Sequence, residues 1–257
     1  MSLITWTREG LLAELTPLKC EAWRVVEAQH FKSTMKLVDS PDEQRIVEEE
    51  IEAAKPPVPP ECRHLDYLLF TPFRYDGQYP IGSRFRRAGM TKGVFYCSAT
   101  SMTAMAEMAF LRLLFFAESP GTPFPGNPFE YTAFAVSLET PVSFDLTRPP
   151  LNRDMALWSA LSDYLPCQQF ADLARECPAE ALQYTSVRDP QGGRNFAVLS
   201  CCAFSAAHWV GMQSWHMQLQ HKAVWAKCEA PEQAVTFDMT AFLADPRLAP
   251  LRMQIIA

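Results

Sequence analysis

Residues 93–117, GVFYCSATSMTAMAEMAFLRLLFFA, constrain the fold more than any other stretch of the chain. GVFYCSA alternates as a strand does, with successive side chains on opposite faces. Ser101 then offers a helix cap, and 102–117 holds helix formers and few breakers. The charged residues inside that helix are Glu107 and Arg112; Met105, Phe110, Leu113, Leu114, Phe115 and Phe116 leave little polar surface. A helix that is apolar nearly all round reads as a buried one.

Glu107 is the exception. It falls in the second turn, and Thr103, Ala104, Phe110 and Leu111 share its face without offering a basic partner. Full burial of that carboxylate would be costly without compensation. Two readings stay open on the pattern alone. Glu107 looks out of a narrow polar stripe and gains slightly from the helix N-terminal field. Alternatively it faces a wet pocket and a ligand, with Tyr96 of the preceding strand at the pocket rim.

Elsewhere the chain mixes short strands and a few helices, which points to an α+β domain. EAWRVVEAQH (21–30) has a strand-like core around Arg24, and 42–55 reads as an acidic helix entered at Pro41. KPPVPPE (55–61) ends that helix as a rigid polyproline connector. The expected division is an N-terminal extension, 1–61, and a main domain, 62–257, with Arg24 able to reach into the latter. HLDYLLFTPFRY (64–75) reads as a strand bounded by Pro72, and 77–93 as a loop. A strand is expected at 131–138, and 154–184 reads as mainly helical with an interruption at Pro166. Residues 184–200 read as strand, Gly-rich turn, strand, and further strands are expected at 223–229 and 234–239.

The arginines sharpen the ligand reading. Arg74, Arg84, Arg86 and Arg87 precede the strand that leads into Glu107. Guanidinium forks hold pyrophosphate through parallel charge-assisted hydrogen bonds. In an extended RFRR segment, Arg84 and Arg86 would share a side and Arg87 would face away. Ser186 lies outside any GxSxG elbow, so it is read as a hydrogen-bonding group rather than a nucleophile. Asn195 follows the Gly192–Gly193 turn, which is not a P-loop.

Composition removes other classes. With 257 residues, 48% apolar, the chain can bury a sizeable core without a disulfide or metal. A net charge of -6, with the basic residues spread out, argues against direct nucleic-acid binding. The eight cysteines include no CxxC, and the histidines no compact metal spacing, so no metal is expected. With no leader and no long apolar run, the expectation is a cytoplasmic protein, off the membrane, with mostly reduced thiols.

Arg24, the GSRFRRAG loop (82–89), GVFYCSATSMTAMAE (93–107) and YTSVRDPQGGRN (184–195) together resemble the RES-domain family, from about Arg24 to Cys228. The resemblance implies a compact mixed-sheet α+β fold, distantly related in shape to ADP-ribosyltransferases, here with an N-terminal helical extension. It implies a toxin of a bacterial toxin–antitoxin pair that consumes NAD+ by phosphorolysis or hydrolysis of the nicotinamide–ribose bond. Inorganic phosphate is then the co-substrate, and a helical DNA-binding antitoxin that blocks the active site is the implied partner. The family's residues carry over to Glu107, Arg84 and Ser186 as catalytic. Arg24, Arg84, Tyr96, Ser186 and Asn195 bind NAD+, with Arg86 offered as the extra anion site. Where the family loop often has a glycine, this chain has Ser83. Two other readings remain: a protein ADP-ribosyltransferase using the same pocket, and a non-catalytic interaction protein.

Overall fold

The structure, a computed structural model, describes residues 4–28, 38–75, 80–119 and 121–256. The last residues of the expected 21–30 strand and the first of the expected 77–93 loop lie outside the described residues. A short helix α1 (Arg8–Leu12) precedes strand β1 (Thr16–Glu27), helix α2 (Pro41–Ala54) and helix α3 (Tyr67–Arg74). Strand β2 (Phe95–Ser98) runs into helix α4 (Ser101–Glu118) and the long strand β3 (Phe129–Asp145). Helices α5 (Met155–Trp158) and α6 (Leu165–Glu176) lead to strands β4 (Ala181–Thr185) and β5 (Arg194–Val198). Strands β6 (Gly211–Leu219), β7 (Ala223–Cys228) and β8 (Gln233–Asp238) precede helices α7 (Met239–Leu243) and α8 (Ala249–Ile256). The fold class is α+β.

The strands form one sheet in the order β1-β2-β5-β4-β3-β6-β7-β8, and a further β1–β3 pairing closes its first five strands into a barrel. β3 makes this possible by its length. Along one edge it pairs antiparallel with β1, from Tyr131 opposite Glu27 to Ser143 opposite Thr16. Its other edge is divided. The first part, Phe129–Ala135, carries β6, and the last part, Ser143–Asp145, carries β4 in parallel. The β6–β7–β8 wing therefore peels away where the barrel closes. The expected boundary at residue 61 crosses this ring, because β1 is one of its staves.

Alternation explains how the strands serve two layers. Phe95 and Cys97 of β2 and Phe196 and Val198 of β5 pack in one core with Phe134 and Val136 of β3. The opposite parity, Tyr96 and Ala197, joins a second core built around Phe144, Trp158 and Phe170. A third core holds α4 against Tyr131, Trp215, Phe242 and Leu251.

Several expectations change. Residues 64–75 are helical from Tyr67, not extended: Asp66 caps Leu68 N–H at 2.9 Å, and Leu69 and Phe73 bury one face at helical spacing. Thr100, not Ser101, caps α4, accepting from Thr103 N–H at 3.1 Å. Pro166 opens α6 rather than interrupting a helix, since the first turn needs no N–H there. β6 occupies the His-containing stretch 211–219, where the sequence reading placed no strand. Phe115 and Leu111 are exposed on α4. Cys62 and Cys201 are disulfide-bonded, with Cα atoms 5.5 Å apart; the other six cysteines are free. That pair is the exception among thiols expected to be mostly reduced.

Candidate functional site

The junction of β1, β2, β5 and α4 encloses a cavity of about 520 Å³, within the size range of small-molecule sites. Glu107 lines it. The helix cap sets its position: with Thr100 at the N-terminus, Glu107 projects from the second turn toward β5 and the β4–β5 turn. Its Oε1 accepts from Ser186 Oγ at 2.7 Å and from Asn195 Nδ2 at 2.6 Å. Asn195 Oδ1 in turn accepts from Ser98 Oγ at 2.7 Å. Glu107 Oε2 has no hydrogen-bond partner among the described residues, and the side chain is half-buried. One oxygen is thus fixed and the other is available to a ligand. Glu107 therefore lines the cavity, with Tyr96 of the preceding strand also on its wall.

Ser186 is 3% exposed and lies behind the carboxylate rather than on the cavity wall. Its hydroxyl donates to Glu107 and accepts backbone N–H groups of Arg188 at 3.2 Å and Asp189 at 3.0 Å. All its capacity is spent, which suits a group that holds Glu107 rather than one that attacks a substrate. The β4–β5 turn places Ser186 and Asn195 together. Gly192 has φ +67, and a Cβ on Gly193 would come within 2.3 Å of Thr103 Oγ1, so the turn seats against α4 only with glycine there.

Two cations face the same space. Arg24 of β1 donates Nη1 to the Tyr96 carbonyl at 2.8 Å and lies 4.8 Å from the Phe95 ring centroid. Arg84 is 7% exposed, donates Nη1 to the Trp158 carbonyl at 2.7 Å and stacks on Tyr164 at 4.7 Å. Among the described residues neither has a carboxylate partner. The enclosing strands lower the Arg24 pKa, a burial cost partly offset by Cys97 and Tyr96. Burial likewise pushes the Tyr96 phenol up, although Ser83 and Phe85 N–H hydrogen-bond it at 2.8 Å and 3.0 Å. Ser83, where the family loop often has glycine, thus fixes the tyrosine.

Arg86 does not join this group. Residues 83–86 form a tight turn, Ser83 N to Arg86 O at 2.8 Å and Arg86 N to Ser83 O at 3.2 Å, instead of an extended segment. The turn sends Arg84 into the cavity and Arg86 to the carbonyls of Thr91 and Tyr75. Arg87 pairs with Asp172 at 2.6 Å. In place of Arg86 the cavity wall carries Arg188, Tyr164, Tyr184 and Arg247. Sequence reasoning passed over all four. Arg188 sits in the quoted YTSVRD motif and was within reach; Arg247, in DPRLAP, carries no local signal.

No group of three or more His, Cys, Asp or Glu residues among the described residues is arranged to hold a metal ion. No described helix is long and apolar enough to cross a membrane.

Fold and cavity together define a mixed α+β barrel in which the Glu107 carboxylate shares an enclosed space with Arg24 and Arg84, neither of which has a carboxylate partner among the described residues. The chain matches the RES domain over residues 58–220, more than half its length, and belongs to that family. No curated protein sequence matches it. Among solved structures it is similar to the crystal structure of the M. tuberculosis MbcT–MbcA toxin–antitoxin complex. That likeness has a TM-score of 0.43 at 12% identity, covering 92% of this chain and 97% of the other.

Proposed function

We propose that this protein cleaves the nicotinamide–ribose bond of NAD+ and acts as the toxin of a toxin–antitoxin pair. The observation that carries the reading is the Glu107 carboxylate, one oxygen fixed by Ser186 and Asn195 and the other unspent, facing a cavity that also holds Arg24 and Arg84. RES-family membership supports it.

The nicotinamide of NAD+ is cationic and leaves readily. The demanding step is stabilising the ribosyl oxocarbenium that develops as it departs. Glu107 Oε2 faces that ribose, where negative charge helps most in the transition state. Ser186 and Asn195 hold the carboxylate in place before the substrate arrives, so little reorganisation remains to be done. Arg24 and Arg84 neutralise the pyrophosphate. Tyr96, fixed by Ser83, packs beside the nicotinamide ring. Phosphate or water then attacks the ribose C1. The acidic α2 and the proline arm after it form the extension to this catalytic unit.

Leu111 and Ile81, 55% and 65% exposed, line the cavity, and Phe115, 48% exposed, lies about one turn along α4 from Leu111. A helical antitoxin covering these residues would close the entrance.

The test is to incubate the purified protein with NAD+, with and without inorganic phosphate, and identify products by mass. Nicotinamide with ADP-ribose 1''-phosphate is the expected result of phosphorolysis, and free ADP-ribose that of hydrolysis. Nicotinamide without matching free ADP-ribose would redirect the assignment to transfer onto a protein. No turnover by folded, partner-free protein would sink it.

A further inference from the structure

One wall of the cavity carries more positive charge than its carboxylates neutralise. Arg188, 5% exposed, pairs through Nη1 with Asp245 Oδ2 at 2.7 Å and donates Nη2 to the Leu161 carbonyl at 2.6 Å. Arg247 approaches the same carboxylate with Nε to Oδ1 at 3.0 Å and Nη2 to Oδ2 at 2.8 Å. Its Nη2 also reaches the Leu161 carbonyl and the Tyr164 hydroxyl, at 3.0 and 2.9 Å. Asp245 is fully buried. Burial opposes its charge, but the hydrogen bonds from Arg247 and the charge of Arg188 outweigh this and hold its carboxyl below the usual range. Both guanidiniums lie over the Phe110 ring, at 3.7 and 5.1 Å, and Tyr164 stacks with Arg84 and Arg247 at 4.7 and 5.4 Å.

Arg84, Arg188 and Arg247 thus converge on two aromatic rings with Asp245 as their one carboxylate among the described residues. All three line the cavity. A structural ion pair needs one cation per carboxylate; the others add repulsion and desolvation cost unless an anion joins them. Donors remain for it, since Arg188 Nε and Arg247 Nη1 have no partner among the described residues. The wall also adjoins the candidate catalytic group: Arg188 N–H binds the Ser186 oxygen whose hydroxyl holds Glu107.

We propose that Arg188 and Arg247, positioned by Asp245, form a phosphoryl-binding subsite of this cavity. The inference rests on the NAD+ pocket proposed above. Fixed guanidinium donors suit a tetrahedral dianion, and their fixed partners remove the entropy cost of arranging them on binding. The phosphoryl group has two possible sources. It is inorganic phosphate acting as acceptor, or a phosphate monoester on the dinucleotide, as on the adenosine ribose of NADP+. Arg188 lies inside the domain match, whereas Asp245 and Arg247 lie beyond residue 220, where it ends.

The experiment titrates inorganic phosphate, NAD+ and NADP+ calorimetrically into the full chain, into Arg247→Gln and into Lys227→Gln, which removes an exposed charge from β7. If the source is free phosphate, Arg247→Gln weakens phosphate binding about tenfold or more and Lys227→Gln does not. If the source is the dinucleotide, Arg247→Gln instead abolishes a preference for NADP+ over NAD+. Wild-type protein that neither binds phosphate nor favours NADP+, or a folded Arg247→Gln that matches wild type in both, overturns the subsite. Should Arg247→Gln fail to fold, wild-type crystals soaked in arsenate decide the question. An anomalous peak within hydrogen-bond distance of Arg188 and Arg247 supports the subsite; a peak only elsewhere, or none, overturns it. Phosphate binding without dinucleotide cleavage would sink the NAD+ reading and leave the subsite standing. Cleavage with phosphate affinity and dinucleotide preference unmoved by Arg247→Gln would do the reverse.

Discussion

Arg24 and Arg84 reach the cavity from one direction, Arg188 and Arg247 from another, and the two pairs differ in what faces them. The first pair is held by backbone carbonyls and aromatic rings, with no carboxylate among the described residues. The second is clamped on both sides of Asp245. A carbonyl orients a guanidinium without cancelling its charge, so the first pair keeps its full attraction for an anion. A shared carboxylate fixes geometry at the expense of charge. The contrast predicts that the fold depends more on the second pair, and that the proposed dinucleotide binding depends more on the first.

The largest effect expected from breaking this contrast is on stability. Asp245→Ala leaves Arg188 buried without its partner, and denaturant unfolding should show a loss of about 3–5 kcal/mol. Equal stability to wild type would mean that the clamp contributes nothing to the fold. Glu107→Gln comes next. Glutamine keeps an acceptor for Ser186 and Asn195, so the melting temperature should hold while NAD+ turnover falls about a hundredfold, or roughly 3 kcal/mol. Near-normal turnover would remove Glu107 from the chemistry.

Arg24→Met sharpens the comparison from the other side. It removes a part-buried charge that no carboxylate among the described residues neutralises, so stability should stay level or rise while NAD+ binding weakens about tenfold, or about 1.4 kcal/mol. Destabilisation like that of Asp245→Ala would erase the distinction between the pairs. Ser186→Ala should act more gently, lowering turnover several-fold by loosening Glu107; loss as large as that of Glu107→Gln would give the serine a direct part.

The smallest effect is in acid. The folded-state pKa of Asp245 lies below its unfolded value. Its contribution is therefore fully present above about pH 4 and lost as the pH falls through the lower folded value. Melting temperatures recorded between about pH 5 and 2 should fall more steeply for wild type than for Asp245→Asn. Parallel curves would show that the carboxylate is not charge-stabilised in the native protein.

The part of the site legible in the sequence is the part carried by short, local patterns. Tyr96 and Glu107 sit on one continuous strand-to-helix run, and Ser186 and Asn195 flank one turn, so spacing alone brings each pair close. Arg24 and Arg84 were legible through the family resemblance. Arg86 misled because alternation presumes an extended chain, whereas residues 83–86 turn back on themselves. Residues 64–75 misled because an apolar run of that length suits either period, and the Asp66 cap decides for helix. Asp245 and Arg247 pair two residues apart, but what carries them to the cavity lies far off in sequence: Arg247 meets Tyr164 across 83 positions. The α+β class followed from element alternation, but barrel closure did not, since β1 and β3 carry no mark that they pair.

That closure has a kinetic consequence. Thr16 of β1 bonds Ser143 of β3 across 127 positions, and the ring closes only when that long-range pairing forms. Contacts so distant along the chain are slow to form. Arg24 rides on the closing stave, so closing the ring and bringing this cation to the cavity that Glu107 lines are one event. Removing the first strand would accordingly not trim a tail; it would open the ring and take Arg24 from the cavity wall.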